Sequence, residues 1–68
     1  MLLYDSFSAA RECAISLAVA RSTKIKVLEI STKRIGLVYG VALHTEEFSV
    51  GRVLGVVNPL GEYCDSPC

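Results

Sequence analysis

The feature that most constrains the fold of this chain is an alternation of side-chain size across residues 34–44. Alternate residues of an extended strand point to opposite sides, so this stretch has two contrasting faces. The bulky apolar face consists of Ile35, Leu37, Tyr39, Val41 and Leu43. The opposite face is small and includes Gly36 and Gly40. We therefore interpret residues 34–44 as the central strand of a small antiparallel sheet.

A helix is predicted before this strand, from about Phe7 to Arg21. Five alanines lie in this stretch, and alanine loses no side-chain entropy when it enters a helix. Asp5 or Ser6 can cap the first turn with a side-chain oxygen. One stripe of the helix is small and apolar and should face the sheet. The stripe consists of Phe7, Ala10, Ala14, Leu17 and Ala18.

Residues 24–31 and 48–57 are predicted to be two further strands, because both stretches are rich in β-branched residues. The resulting order predicts an α+β fold, with one helix packed on a three-stranded antiparallel meander. Met1–Tyr4 is expected to be a short N-terminal strand or an arm on the sheet edge. We expect residues 1–68 to form one small domain. We expect 58–68 to be an irregular C-terminal tail, since Pro59 cannot donate to a strand ladder.

Two packings of the helix are compatible with this pattern. Gly51 and Gly55 have the same spacing as Gly36 and Gly40, and glycine in a strand indicates a bulge or the close approach of another backbone. An alanine-rich helix on a glycine-lined face would explain both compositions. In the competing packing the helix covers the face of Tyr39, and the glycine face is left for a ligand or partner.

The balance of apolar and charged residues favours a protein that works in a complex. Apolar residues make up 51% of the 68 residues, and a domain of this size buries only about 60% of its unfolded surface. Seven basic residues balance seven acidic ones, which lowers colloidal solubility and argues against binding dominated by phosphate contacts. Ile15 and Val19 lie together on the flank of the helix. We predict that these two residues and Tyr39 contact a protein partner.

Two alternative functions depend on smaller clusters. A basic cluster at the first hairpin could bind RNA or single-stranded DNA, with Tyr39 as a stacking surface. It consists of Lys24, Lys26, Lys33 and Arg34. A zinc-stapled domain is the other alternative, because zinc is held by four cysteine or histidine ligands. The candidate ligands are Cys13, His44, Cys64 and Cys68.

No pattern in the sequence predicts catalysis or a cofactor. His44 is the only histidine, and no nucleophile elbow or cysteine–histidine signature accompanies it. The glycines do not form a phosphate-binding loop that opens a helix. We therefore expect no enzymatic activity and no cofactor.

The N-terminal sequence and the cysteines predict the location. A basic N-terminal region is absent, and no apolar run reaches the roughly 18 residues of a membrane span. Three cysteines are too few for a disulfide scaffold. We therefore expect a cytoplasmic protein with free thiols and no membrane contact, although Cys64 and Cys68 could form a disulfide in an oxidising compartment.

The function favoured by the sequence is protein binding without catalysis. Compact chains of this size and style are common among the inhibitors that phages and mobile elements direct against host machinery. We accordingly predict a small viral-type inhibitor or regulator of a larger partner, which also associates with itself as a homodimer or larger homo-oligomer.

Overall fold

A computed structural model describes residues 2–46 and 51–65. Its elements, in chain order, are β1 (Leu2–Tyr4), α1 (Phe7–Arg21), β2 (Ile25–Thr32), β3 (Gly36–Leu43), β4 (Arg52–Val57) and β5 (Tyr63–Cys64). The strands form one five-stranded sheet in the order β1-β3-β2-β4-β5, and every neighbouring pair is antiparallel. The predicted α+β class is therefore confirmed, with five strands rather than three.

The predicted meander is wrong, because β4 pairs with β2 and not with β3. Ile25 lies opposite Val57, and Glu29 lies opposite Arg52, with a bulge after Val27. A tight hairpin needs only about two to five residues between its strands, whereas residues 44–51 separate β3 from β4. This longer connection lets the chain cross β2, which is therefore the central strand. The central position predicted for residues 34–44 is wrong. Residues 48–50, which were predicted to begin the last strand, lie outside the described residues.

Both ends of the chain contribute edge strands. The predicted N-terminal strand is present as β1, and Leu3 lies opposite Gly40. The segment expected to be an irregular tail contains β5, where Tyr63 lies opposite Val57. The turn before β5 is held by the Asn58 side chain, whose Oδ1 accepts hydrogen bonds from the backbone N–H groups of residues 60 and 62, both at 3.0 Å. Residues 66–68 lie outside the described residues.

The helix has the predicted bounds, because its capping signals are local. Ser6 is the N-cap, and its Oγ accepts a hydrogen bond from the backbone N–H of Ala9 at 3.2 Å. Ser22 ends the helix in the left-handed conformation with φ of 50°. The N–H of Thr23 then donates to the carbonyl of Ala18 at 3.2 Å. This arrangement satisfies carbonyls of the last turn without a glycine.

The helix covers the bulky face of the sheet, so the packing on a glycine-lined face is wrong. Its predicted stripe is confirmed, since Ala10, Ala14 and Ala18 are completely buried. They pack against the β-branched side chains of the three inner strands. These are Ile25 and Val27 of β2, Val41 of β3 and Val57 of β4. Alanines let the helix approach closely, and the larger sheet side chains fill the space between the layers.

The opposite face of the sheet is also partly buried. Leu28 of β2 and Val38 of β3 are 3% and 5% exposed. Lys26 lies on this face too, because it alternates with Ile25 and Val27 along β2. Its Nζ donates a hydrogen bond to the backbone carbonyl of Glu46. This hydrogen bond offsets part of the cost of burying an ammonium group.

Candidate interaction surfaces

Large apolar side chains remain exposed on several elements. Those at least two-fifths exposed in the described ranges are Leu2, Leu3, Val19, Ile35, Leu37, Val53 and Leu60. Single exposed apolar residues are common in proteins, so grouping and surroundings decide which could have a role. Two groups stand out. The first is the hairpin tip, which consists of Lys33, Arg34, Ile35 and Leu37, and the second is the β1 edge, which consists of Leu2 and Leu3.

The backbone of the hairpin tip is held by a threonine. Thr32 Oγ1 accepts a hydrogen bond from the N–H of Ile35 at 3.2 Å. The same hydroxyl donates to the carbonyl of Gly36 at 2.8 Å. Gly36 has a φ of +79°, which glycine adopts without strain. The turn therefore holds Ile35 outward, where it is 72% exposed.

The hairpin tip also extends beyond the helix. Phe7, the first residue of α1, stacks edge to face on Tyr39 with ring centroids 5.8 Å apart. The start of the helix is therefore level with Tyr39. Leu37, which pairs with Ser31, is two residues nearer to the turn and lies beyond that end of the helix. No acidic residue occurs between positions 30 and 43. The tip thus presents exposed Ile35 beside two exposed basic residues on a protruding turn.

The β1 edge adjoins an apolar groove. Leu2 is 49% and Leu3 57% exposed, and their side chains point to opposite faces of the sheet. Leu2 is on the helix side, at a groove of about 270 Å³ between the helix and the edge of the sheet. Besides Leu2, its lining includes Leu17, Arg21, Leu43 and Glu46. The lining is mostly apolar, and it includes three leucines and two charged residues of opposite sign.

The three predicted partner residues do not lie on one surface. Ile15 is partly buried against the core, and Val19 is 52% exposed. The turn before β5 packs over this pair, because a Cβ built on Gly61 would lie 3.1 Å from Val19 and 3.5 Å from Ile15. Tyr39 is half-buried on the helix side against Phe7. A partner contact at these residues stays a prediction.

The predicted basic cluster is spread along the sheet. Lys24 precedes β2 and Lys33 follows it, so the nine residue steps from one to the other correspond to about 30 Å along an extended strand. Lys26 is 8% exposed and donates to a backbone carbonyl. Only Lys33 and Arg34 share one surface, at the hairpin tip.

The structure does not bring the candidate zinc ligands together. Cys13 is a free, half-buried thiol on the helix, and His44 is exposed after β3. Cys64 is disulfide-bonded, which differs from the free thiol expected there and removes it as a thiolate ligand. Cys68, and with it the predicted pairing with Cys64, lies outside the described residues. Across 2–46 and 51–65, no group of three or more histidine, cysteine or acidic residues is placed to hold a metal.

None of the helical residues described forms a segment long and apolar enough to cross a membrane. This finding concerns α1, which has 15 residues. A membrane-spanning helix needs about 20 residues.

Two tyrosines have raised pKa values. Burial raises the pKa of Tyr63, the nearby negative charge of Asp65 raises it further, and Arg11 opposes this effect. The ring of Tyr63 packs edge to face on Phe7, with centroids 5.8 Å apart. The hydrogen bond between the Tyr4 hydroxyl and Cys13 raises the pKa of Tyr4.

The raised pKa of Tyr63 predicts a loss of stability in alkali. Folding favours the neutral phenol, so its contribution to the free energy of unfolding is complete below the ordinary pKa of 10.0 and is lost as the pH rises through the folded-state pKa. Tyr63→Phe keeps the ring but does not titrate. We expect urea unfolding above pH 10 to show a shallower fall in stability for Tyr63→Phe than for the wild-type chain. Equal slopes for both chains would contradict this assignment.

Sequence reasoning missed Leu2, Leu3 and Ile35 as candidate contacts. The available signals were an apolar residue directly after Lys33 and Arg34 in a turn, and an uncharged segment at the predicted sheet edge.

No family model matches the chain, and no curated protein or solved structure is significantly similar to it.

Proposed function

We propose that this protein is a non-enzymatic protein-binding module, which regulates or inhibits a larger partner and also associates with itself. The observation that supports this most is Ile35, which is 72% exposed on a turn held by Thr32. A binding element that is ordered before binding loses less conformational entropy in the complex. Ile35 therefore has the properties of a preformed anchor residue.

The surroundings of Ile35 define the partner surface that would fit it. Full burial of an isoleucine side chain contributes about 1.5–3 kcal/mol, so a small apolar pocket is the complementary feature. Lys33 and Arg34 are both exposed beside it, which favours carboxylates around that pocket. Charges at the rim of an interface contribute to the association rate and to specificity more than to affinity.

Binding of RNA or single-stranded DNA is the competing function. Lys33 and Arg34 are the part of the predicted basic cluster that the structure places on one surface. Each neutralised phosphate of a single strand contributes about −0.7 to the slope of log affinity against log salt. Two cations therefore predict a slope of only about −1.4 and weak binding in physiological salt. Nuclease treatment separates this function from protein binding.

Replacing Ile35 by serine is expected to reduce partner capture strongly without affecting the fold. Both Ile35 and the control residue Leu60 are strongly exposed, at 72% and 80%, so each serine variant should stay within about 0.5 kcal/mol of the wild-type stability. We expect tagged wild-type and Leu60→Ser chains to capture the same protein from a nuclease-treated extract of the source cell. Ile35→Ser should capture at least about tenfold less, since loss of 1.4 kcal/mol corresponds to tenfold in affinity.

Three results would contradict the proposal. The Ile35→Ser chain could capture as much as the wild type, or Leu60→Ser could lose capture equally. Alternatively, the captured protein could disappear after nuclease treatment, which would favour the nucleic-acid function.

A further inference from the structure

We infer that two copies of this chain associate through the β1 edge, with β1 of one copy paired antiparallel to β1 of the other about Leu3. This deepens the self-association in the proposed function and names its surface. The β1 edge is separate from the hairpin tip, so partner binding and self-association can be tested independently.

Within residues 2–46 and 51–65, the edge formed by β1 carries no charge, proline or bulge. Natural edge strands carry lysine, proline, bulges or a covering segment that prevents pairing with another chain. β1 is the outermost strand on its side of the sheet, and its residues, Leu2–Tyr4, are uncharged. At the other edge, β5 has only two residues and lies between Glu62 and Asp65. The outward backbone groups of β1 are therefore suited to an added extended strand.

The position of the helix favours a second copy over an isolated peptide as the source of that strand. The helix packs mainly on residues of β2 and β3, and β1 lies outside β3. This leaves Leu2 half exposed, at the groove it shares with Leu17 and Leu43. A bare peptide would extend the sheet but would bring no second helix to the open side of the groove.

Pairing of β1 with its copy would place the two helices side by side on one face of a continuous sheet. Each helix lies over β2 and β3, so its centre is one and a half strand intervals from its own β1. With the interval between the two copies of β1, four intervals separate the centres of the helices. Strands lie about 4.8 Å apart in a sheet, so the helix axes would be about 19 Å apart. Helices with side chains are about 10–12 Å wide. The gap that remains lies over the two copies of β1, where the side chains of Leu2 and Tyr4 from both copies would pack.

The surface is also self-complementary, as a two-fold dimer requires. Centring the pair on Leu3 overlaps all three residues of β1 and places Leu3 opposite its own copy on the face away from the helix. Directly opposed apolar residues stabilise antiparallel pairs, whereas opposed like charges destabilise them. β1 contains no charged residue that this symmetry would bring against itself. Because only three residues pair, the interface is small and the dimer should be of micromolar affinity.

Leu3→Lys tests this interface against a matched control. Leu3 is 57% exposed and Leu60 is 80% exposed on the distant turn before β5, so lysine at either position should leave the monomer folded. We expect sedimentation equilibrium to show a monomer–dimer equilibrium for the wild type and for Leu60→Lys. Leu3→Lys should weaken dimerisation by about 100-fold or more, because it opposes two like charges at the centre of the strand pair.

Disulfide trapping tests the register separately. In a Cys13→Ser chain, which removes the free thiol of the helix, Leu3→Cys should oxidise to a covalent dimer, because directly opposed residues bring their Cβ atoms within disulfide range. Leu60→Cys in the same chain should stay monomeric under the same conditions.

The inference would be overturned by a wild-type chain that stays monomeric at millimolar concentration. Equal dimerisation of Leu3→Lys and wild type would overturn it too, as would trapping at position 60 but not at position 3. Each of these results concerns the β1 edge alone. Capture of a partner through Ile35 would be unaffected, so the two proposals can fail separately.

Discussion

Replacing Ala14 by leucine is expected to lower the free energy of unfolding by about 3 kcal/mol, because overpacking a close-packed interior costs about 1–3 kcal/mol or more. Ala14 is completely buried at the middle of the helix–sheet contact. Its neighbours on the stripe, Ala10 and Ala18, are equally buried. A larger side chain must therefore push the helix away from Val27 and Val41, which belong to the same core cluster.

Ala20→Leu is the matched control for this prediction. Ala20 lies on the same helix but is exposed, and leucine is nearly as good a helix former as alanine. Urea unfolding should therefore give Ala20→Leu a stability within about 0.5 kcal/mol of the wild type. If Ala14→Leu were as stable as Ala20→Leu, the helix would not pack on the sheet as described.

Replacing Gly55 by alanine should cost about 2–3 kcal/mol, as expected when a side chain is inserted into filled space. A Cβ at this position would collide with the ring of Tyr63 and with the backbone carbonyl of Cys64. Gly55 lies opposite Val27, on the side of the sheet that the helix covers. The absence of a side chain at Gly55 therefore leaves room for the Tyr63 ring, which also contacts Phe7.

Gly36→Ala separates this steric effect from the loss of glycine itself. Gly36 has a φ of +79°, but no atom would lie within 4 Å of an added Cβ. Only backbone strain opposes the change, at a cost of about 1 kcal/mol. Thermal unfolding should therefore rank Gly55→Ala clearly below Gly36→Ala, and the reverse order would contradict the position of Tyr63.

The helix could be predicted to the residue because its signals are local. Ser6 caps the first turn, and the spacing of Ala10, Ala14 and Ala18 defines the buried face. The alternation across residues 34–44 likewise predicted β3, which spans Gly36–Leu43. These features depend on neighbours within a few positions along the chain.

Strand order could not be predicted in the same way. Pairing between β4 and β2 joins Ile25 to Val57 across more than thirty residues, and no pattern in either strand distinguishes this pairing from a meander. The choice of helix face also depended on other elements. Gly55 accommodates Tyr63 of β5 rather than the helix, and β5 belongs to a segment expected to be irregular.

The candidate surfaces were predicted less well than the fold. The sequence indicated an excess of apolar residues, and the structure places exposed ones at the hairpin tip and the β1 edge. Ile15 and Val19 were predicted to contact a partner because they are neighbours on one flank of the helix. Their contact with the turn at Gly61 comes from a distant part of the chain, so helical periodicity could not reveal it.

Photo-cross-linking from position 35 tests the central claim most directly. A benzophenone side chain placed there, on the exposed turn held by Thr32, should form one discrete protein adduct in the source cell. The same probe at position 60, which is equally accessible, should form none with that protein. No adduct from position 35, or the same adducts from both positions, would contradict a binding role for the hairpin tip.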